Sequence, residues 1–255
     1  GALEPLVMDV IREFLIARRD PFRTHTAVGE IGRLKLSERI EMRVWPVDNQ
    51  TGDTRPEDKQ KVPHLLQQAT YRVFSRNSWL SGQQGIETVQ PTDGGLTWKL
   101  RDPAPEDITQ TLELSRYLSR GRGVLALPSG SVRLRQLAVE ALELHSFGAV
   151  RIRNGPDLAR FLVDYIPGQV HTKPDSSDVR VPREYDLGIR TALHANHLAG
   201  STDLETVRRI QTFFLQRFNY SLDAGERLTT RLPIVEFLND LRSGHCEYFA
   251  TASVL

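Results

Sequence analysis

Cysteine is almost absent from this chain: Cys246 is the sole thiol among 255 residues. A lone thiol cannot close an internal disulfide, so no covalent framework holds the fold. That count leaves the compartment open, because many extracytoplasmic domains also do without disulfides. Long apolar runs are missing too. No stretch approaches about 18 uninterrupted apolar residues, so no segment reads as a membrane-spanning helix. The nearest candidate, Leu3 to Ile16, is broken by Glu4, Asp9, Arg12 and Glu13. It also lacks the basic start and small-residue cleavage site of a signal peptide. Charge of one sign is not in excess: 33 Lys and Arg face 32 Asp and Glu, for a formal net charge of +1. No global field therefore points to nucleic acid or an anionic membrane. Internal repeats and low-complexity tracts are absent. Arg120-Gly121-Arg122-Gly123 has no phosphate-loop lysine after it and reads as an exposed basic turn.

What remains is an ordinary globular composition, 39% hydrophobic and 25% charged, long enough for one large core or two smaller ones. Apolar residues at Leu3, Leu6, Val7, Val10, Ile11, Phe14 and Leu15 recur at helical spacing, so 1–24 reads as a helix or juxtamembrane segment. Residues 25–170 read as a mainly β domain. Alternation suggests strands at Leu34 to Val44 and Ile108 to Leu114, with further apolar segments at 71–74, 124–127, 132–137, 150–152 and 161–166. Turn residues such as Asp93-Gly94-Gly95 and Asn154-Gly155-Pro156 punctuate them, which favours an antiparallel sheet or sandwich. The polar stretch 48–61 reads as a loop, and 137–144 fits neither period. Trp45, Trp79 and Trp98 fall in this region as core or rim residues.

A linker is expected over 171–185, with helices over 186–255. Thr202-Asp203-Leu204-Glu205 forms a capping box, followed by a stripe of Leu204, Val207, Ile210, Phe214 and Phe218. A shorter helix is expected from Pro233 to Arg242, closed by Gly244 in a left-handed conformation, and another begins near Cys246. This places the thiol in the first turn of a helix. There, unpaired amides and the positive end of the macrodipole favour the thiolate and can hold the oxyanion of an acyl intermediate. Spacing alone better fits a buried, inert cysteine, since free cysteines usually act as small hydrophobes.

The string Ser243-Gly244-His245-Cys246-Glu247-Tyr248-Phe249-Ala250-Thr251-Ala252 resembles the nucleophile motif of bacterial transglutaminase-like proteins. Phe218-Asn219-Tyr220 and Phe237-Leu238, then Arg242 and Gly244, resemble the segments that lead into it. The resemblance covers about 200–255. It extends more weakly to Ala27–Ser37 and Trp79, which look like the extracytoplasmic portion of the family's membrane-anchored branch. It implies an α+β protein: an N-terminal mainly antiparallel β domain, then the helical first part of a papain-like, transglutaminase-type domain. It also implies a periplasmic or cell-surface location, a membrane-anchored parent, Cys246 as catalytic nucleophile, and a protein or peptide substrate. No cofactor or metal is implied.

The family's histidine and aspartate lie well downstream of the cysteine, whereas nine residues follow Cys246. The chain alone is therefore expected to be inactive, as a piece of the intact enzyme. His245, next to the thiol, points about 100° away from it on a helix and is a poor base, better read as a pocket-wall residue. His194 and His197, three apart, have the spacing of a metal pair, but no second cysteine or acidic cluster completes a site; they read as solvent-facing or capping residues. Transglutamination, deamidation and proteolysis share the thioester-forming half-reaction and stay open. The contrasting reading is a non-catalytic ectodomain that binds a protein or cell-envelope partner.

Overall fold

The computed structural model describes residues 25–27 (backbone), 40–48, 51–54, 62–75, 77–80, 85–105, 107–173, 175–176, 178–222 and 232–255. The helix expected over 3–16, the stretch 28–37 and most of the expected 48–61 loop lie outside these residues. The architecture is α+β. The early strands are β1 (His25–Ala27), β2 (Met42–Val47), β3 (Val73–Ser75), β4 (Ser78–Leu80), β5 (Ile86–Val89), β6 (Pro91–Thr92) and β7 (Thr97–Lys99). Longer strands follow: β8 (Gln110–Tyr117), β9 (Gly123–Leu125), β10 (Ser131–Arg135), β11 (Ala141–His145), β12 (Val150–Arg153) and β13 (Leu158–Tyr165). The chain then turns helical, with α1 (Arg183–Ala195), α2 (Asp203–Arg217), a short strand β14 (Asn219–Tyr220) and α3 (Pro233–Glu236). A π turn over Phe237–Leu241, β15 (Ser243–Gly244) and α4 (Cys246–Val254) complete it.

The chain divides into two compact units. The first, drawn from the described parts of 39–70 and 83–173, is a β-sandwich. One sheet has the order β2-β8-β13-β10-β7-β6 and the other β5-β11-β12-β9, all pairs antiparallel. Alternate residues turn inward. Leu112 and Leu114 of β8, Phe161 and Val163 of β13, and Leu134 of β10 meet Leu142 and Leu144 of β11 and Val150 and Ile152 of β12 in one buried core. Trp98 lies in that core, and its indole N–H donates to the Leu137 carbonyl at 2.9 Å. The ambiguity of 137–144 is thereby explained: Leu137 is a buried loop residue, and strand alternation starts only at Ala141. Ile108, expected to start a strand, lies before β8 and is exposed.

The solvent side of the larger sheet buries one charge. The Asp164 side chain is 3% exposed. Its oxygens accept from Thr111 Oγ1 at 2.9 Å, Arg133 Nε at 2.8 Å, and Arg135 Nε and Nη2 at 3.0 and 2.8 Å. Burial by itself would raise this carboxyl's pKa, but the hydrogen bonds from Arg135, Arg133 and Thr111 outweigh it and hold the pKa below the ordinary value.

The second unit comprises the described parts of 25–38, 71–82 and 174–255. It holds a small antiparallel sheet, β1-β4-β3, with the helices. Trp79, read from sequence as part of the β-rich region, belongs to this helical unit. Tyr185, Ile189 and Ala192 give α1 a buried face at helical spacing. Gly188 lets α1 approach α3: a Cβ at that position would sit 2.5 Å from Val235 Cγ1. Arg72 clamps the turn that leads into α1, pairing in a fork with Asp178 and at 2.7 Å with Asp175.

The capping box forms in part. Thr202 Oγ1 accepts the Glu205 N–H at 3.2 Å, but the Glu205 carboxylate takes the Ser201 N–H and hydroxyl instead of the Thr202 N–H. These bonds, with Arg209, depress the Glu205 pKa to about 2. The expected α2 stripe is half right. Ile210 and Phe214 pack on the core beside buried Phe213 and Phe218, whereas Leu204 and Val207 are exposed. The first turns of α2 run past the edge of the core, so apolar periodicity outlasts burial there. Among the described residues, no helix is long and apolar enough to cross a membrane.

Candidate active site

Cys246 is the first residue of α4, half-buried, after an extended His245 cap. The earliest ladder bonds run from the Tyr248 and Phe249 N–H groups to the His245 carbonyl, at 3.0 and 3.4 Å. The N–H groups of Cys246 and Glu247 thus lie ahead of the intrahelical ladder, at the positive end of the helix. The expected position of the thiol holds.

The approach to that position differs from the expected one. The helix from Pro233 does not stay α to its end. After one turn it widens, and the Arg242 N–H donates to the Phe237 carbonyl five residues back, at 3.1 Å. Arg242, not Gly244, takes the left-handed conformation, with φ 47° and ψ 31°. Gly244 is needed for space instead. A Cβ there would lie 3.0 Å from Phe237 Cε2 and 3.1 Å from Tyr248 Cδ2. It sits in β15, which pairs in parallel with β14, and the Ser221 N–H donates to its carbonyl at 2.9 Å. Two short parallel strands therefore deliver the chain to the start of α4.

The back of α4 is held by rings. Phe237 is fully buried, with centroids 4.9 Å from Phe218, 5.1 Å from Phe249 and 5.6 Å from Tyr248. Phe214 meets Phe249 edge-on at 5.3 Å. One turn along the helix, Thr251 Oγ1 accepts the Trp79 indole N–H at 2.9 Å, which pins α4 to strand β4. Tyr248 is buried, and burial followed by Glu247 and Glu236 pushes its hydroxyl pKa up to about 12, so it stays neutral at physiological pH.

His245, read from the sequence as a pocket-wall residue, is fully buried. Its ring lies edge-on to Tyr248 at 4.8 Å, and Nδ1 is 3.8 Å from the Glu247 carboxylate. Among the described residues, no histidine makes a hydrogen bond to the Cys246 sulfur. His194 and His197 are exposed at the end of α1 and just beyond it, and no group of three His, Cys, Asp or Glu side chains suited to a metal occurs among the described residues. The Trp79–Thr251 bond and the Glu247–His245 approach were not legible in the sequence: the first spans 172 positions, and the second depends on burial.

No protein-family model matches the chain, and no curated protein does. Two solved structures share its fold over 91% of its length. Both are crystal structures of the periplasmic domain of TgpA from Pseudomonas aeruginosa. One has a TM-score of 0.57 at 20% identity, with 75% of that chain covered. The other, bound to ethylmercury, has a TM-score of 0.54 at 18% identity, with 77% covered. Likeness at this identity establishes the fold.

Proposed function

We propose that Cys246 is the nucleophile of a transglutaminase-like thiol enzyme whose soluble part works outside the cytoplasm, in a membrane-anchored parent. The observation that carries this reading is the half-buried thiol at the first position of a helix whose far side is fixed by Phe237, Phe249 and Trp79. The motif around it and the periplasmic-domain fold support the same reading.

In the first half-reaction the thiolate sulfur attacks an amide carbonyl carbon of a protein or peptide. The carbonyl oxygen gains negative charge beside the opening amides of α4. The C–N bond then breaks, the nitrogen leaves as an amine with one added proton, and a thioester remains. An amine or water next attacks the same carbon, gives up a proton, and the C–S bond breaks to restore the thiolate. A base must handle both protons. In this reading the family's histidine, oriented by an aspartate, supplies it.

The test is incubation of the intact protein with a glutamine-bearing peptide and a fluorescent primary amine, against Cys246→Ala. Covalent amine incorporation, deamidation or cleavage that disappears in the variant supports the reading. Ethylmercury, which one neighbour binds, is thiol-seeking, and in this chain it should add once, at Cys246.

A second reading is a non-catalytic ectodomain that binds a protein or cell-envelope partner. It predicts equal results for the intact protein and Cys246→Ala in every arm of that assay.

A further inference from the structure

Far along the chain from the thiol, the β-sandwich contains a cavity of about 380 Å³ lined by Gly85, Ile86, Glu87, Leu100, Arg101, Leu144, His145, Ser146 and His171. Both sheets reach it, through the start of β5, the exit of β7 and the end of β11. Its polar groups are unusual in one respect. The Arg101 Nε–H and the Ser146 hydroxyl are buried and have no hydrogen-bond partner. The other end of the Arg101 guanidinium is held in place, with Nη2 donating to the Gly130 carbonyl at 3.1 Å and to Gln169 Oε1 at 2.7 Å. No carboxylate among the described residues forms an ion pair with it. Buried polar groups without partners are rare in folded proteins, and each calls for an explanation.

The histidines at this cavity do not compete for an anion as acids. Burial lowers the pKa of both. For His171, Arg101 adds to that lowering, Glu87 opposes it and His145 adds again. His145 Nδ1 accepts the Phe147 N–H at 3.2 Å, which leaves its neutral proton on Nε2. The His171 ring lies against Gly148, where a Cβ would come within 2.8 Å of Cγ. At neutral pH the residues that line the site thus include one fixed cation, a hydroxyl and two neutral imidazoles. Glu87 is exposed and screened by solvent. Ile86, Leu100 and Leu144 provide an apolar wall.

We propose that this cavity binds a small organic acid, with Arg101 and Ser146 donating to its carboxylate and the Ile86, Leu100 and Leu144 side chains covering its aliphatic part. The recognition is that of a charged fork and a hydroxyl for two acceptor oxygens. Inorganic phosphate would satisfy the same donors but would leave the apolar wall unused.

The Arg101 Nε–Hε resonance in a ¹H–¹⁵N spectrum of the chain reports the unused donor directly. Butyrate is expected to shift it saturably, and phosphate to shift it more weakly. Ser146→Ala should weaken butyrate about tenfold, the scale of one lost hydrogen bond to a charged group. Arg101→Lys, which keeps the charge and removes the fork, should weaken it by at least as much. If Arg101→Lys fails to fold, Ser146→Ala and the wild-type resonance decide. The proposal is overturned if butyrate gives no saturable shift into the range of tens of millimolar, roughly the weakest binding so few contacts would give. It is overturned equally if phosphate binds as tightly as butyrate, or if Ser146→Ala binds as the wild type does.

Discussion

Asp164 stays ionised on a nearly closed sheet surface because four donor contacts surround two oxygens, and that arrangement makes its contribution depend on pH. Its folded pKa lies below the usual 3.8. The stabilisation is therefore complete above the unfolded value and is lost as pH falls through the folded one. Asp164→Asn is expected to cost about 2 kcal/mol at neutral pH, the scale of charge-assisted hydrogen bonds, since Arg133 and Arg135 can turn to solvent once the carboxylate is gone. Denaturant unfolding at a series of pH values should show that deficit shrinking below about pH 4 as the wild-type carboxylate protonates. A constant difference across pH would show that packing, not charge, holds the residue. At Cys246 the matching expectation is kinetic. Iodoacetamide should label it in the native state faster than in denaturant-unfolded chain at neutral pH, because only the folded chain places it at a helix start. Labelling that requires unfolding would remove the nucleophile reading.

The elements around the thiol depend on a few shape constraints. Gly244→Ala places a methyl carbon at about 3 Å from two aromatic rings and is expected to cost roughly 1–3 kcal/mol, the range for overpacking, measured by thermal melting. It should also slow labelling of Cys246, because Gly244 is the last residue before the cap of α4. Phe237→Ala removes the ring shared by Phe218, Phe249 and Tyr248, with an expected loss of about 3–5 kcal/mol. Part of this region was visible in the sequence: the thiol at a helix start and the Thr202 cap. The π turn and the left-handed Arg242 were not, because glycine is the usual signal for a positive φ and Arg242 gives none. Leu204 and Val207 misled for the opposite reason. Their periodicity is real, but burial of a helix face depends on how far the core extends, which no local pattern records.

At the scale of the whole molecule, the sandwich was legible as a fold class because alternation and turns repeat over Gln110–Tyr165, and Leu112, Leu114, Phe161 and Val163 are buried as their period requires. Its short strands, β5 and β7, carry too few residues to show a period. The cavity at Arg101 and His171 was invisible for a related reason: its polar residues come from four separate segments and share no motif.

One consequence of the chain's route concerns synthesis. Strands β3 and β4 form an antiparallel pair made early, yet the core they join, with Tyr185, Phe237 and Tyr248, is translated at the end. A two-stranded hairpin is marginal alone in water. As the ribosome proceeds, the sandwich can close once about residue 173 has emerged, while Phe74 and Trp79 wait, uncovered, for α1 to α4. A single cut after Lys173 keeps every segment of the sandwich unit on one piece but divides the helical unit, whose strands β3 and β4 stay behind. A fragment starting near residue 174 should therefore lack the indole that pins α4, and should fold less well than its helical content suggests.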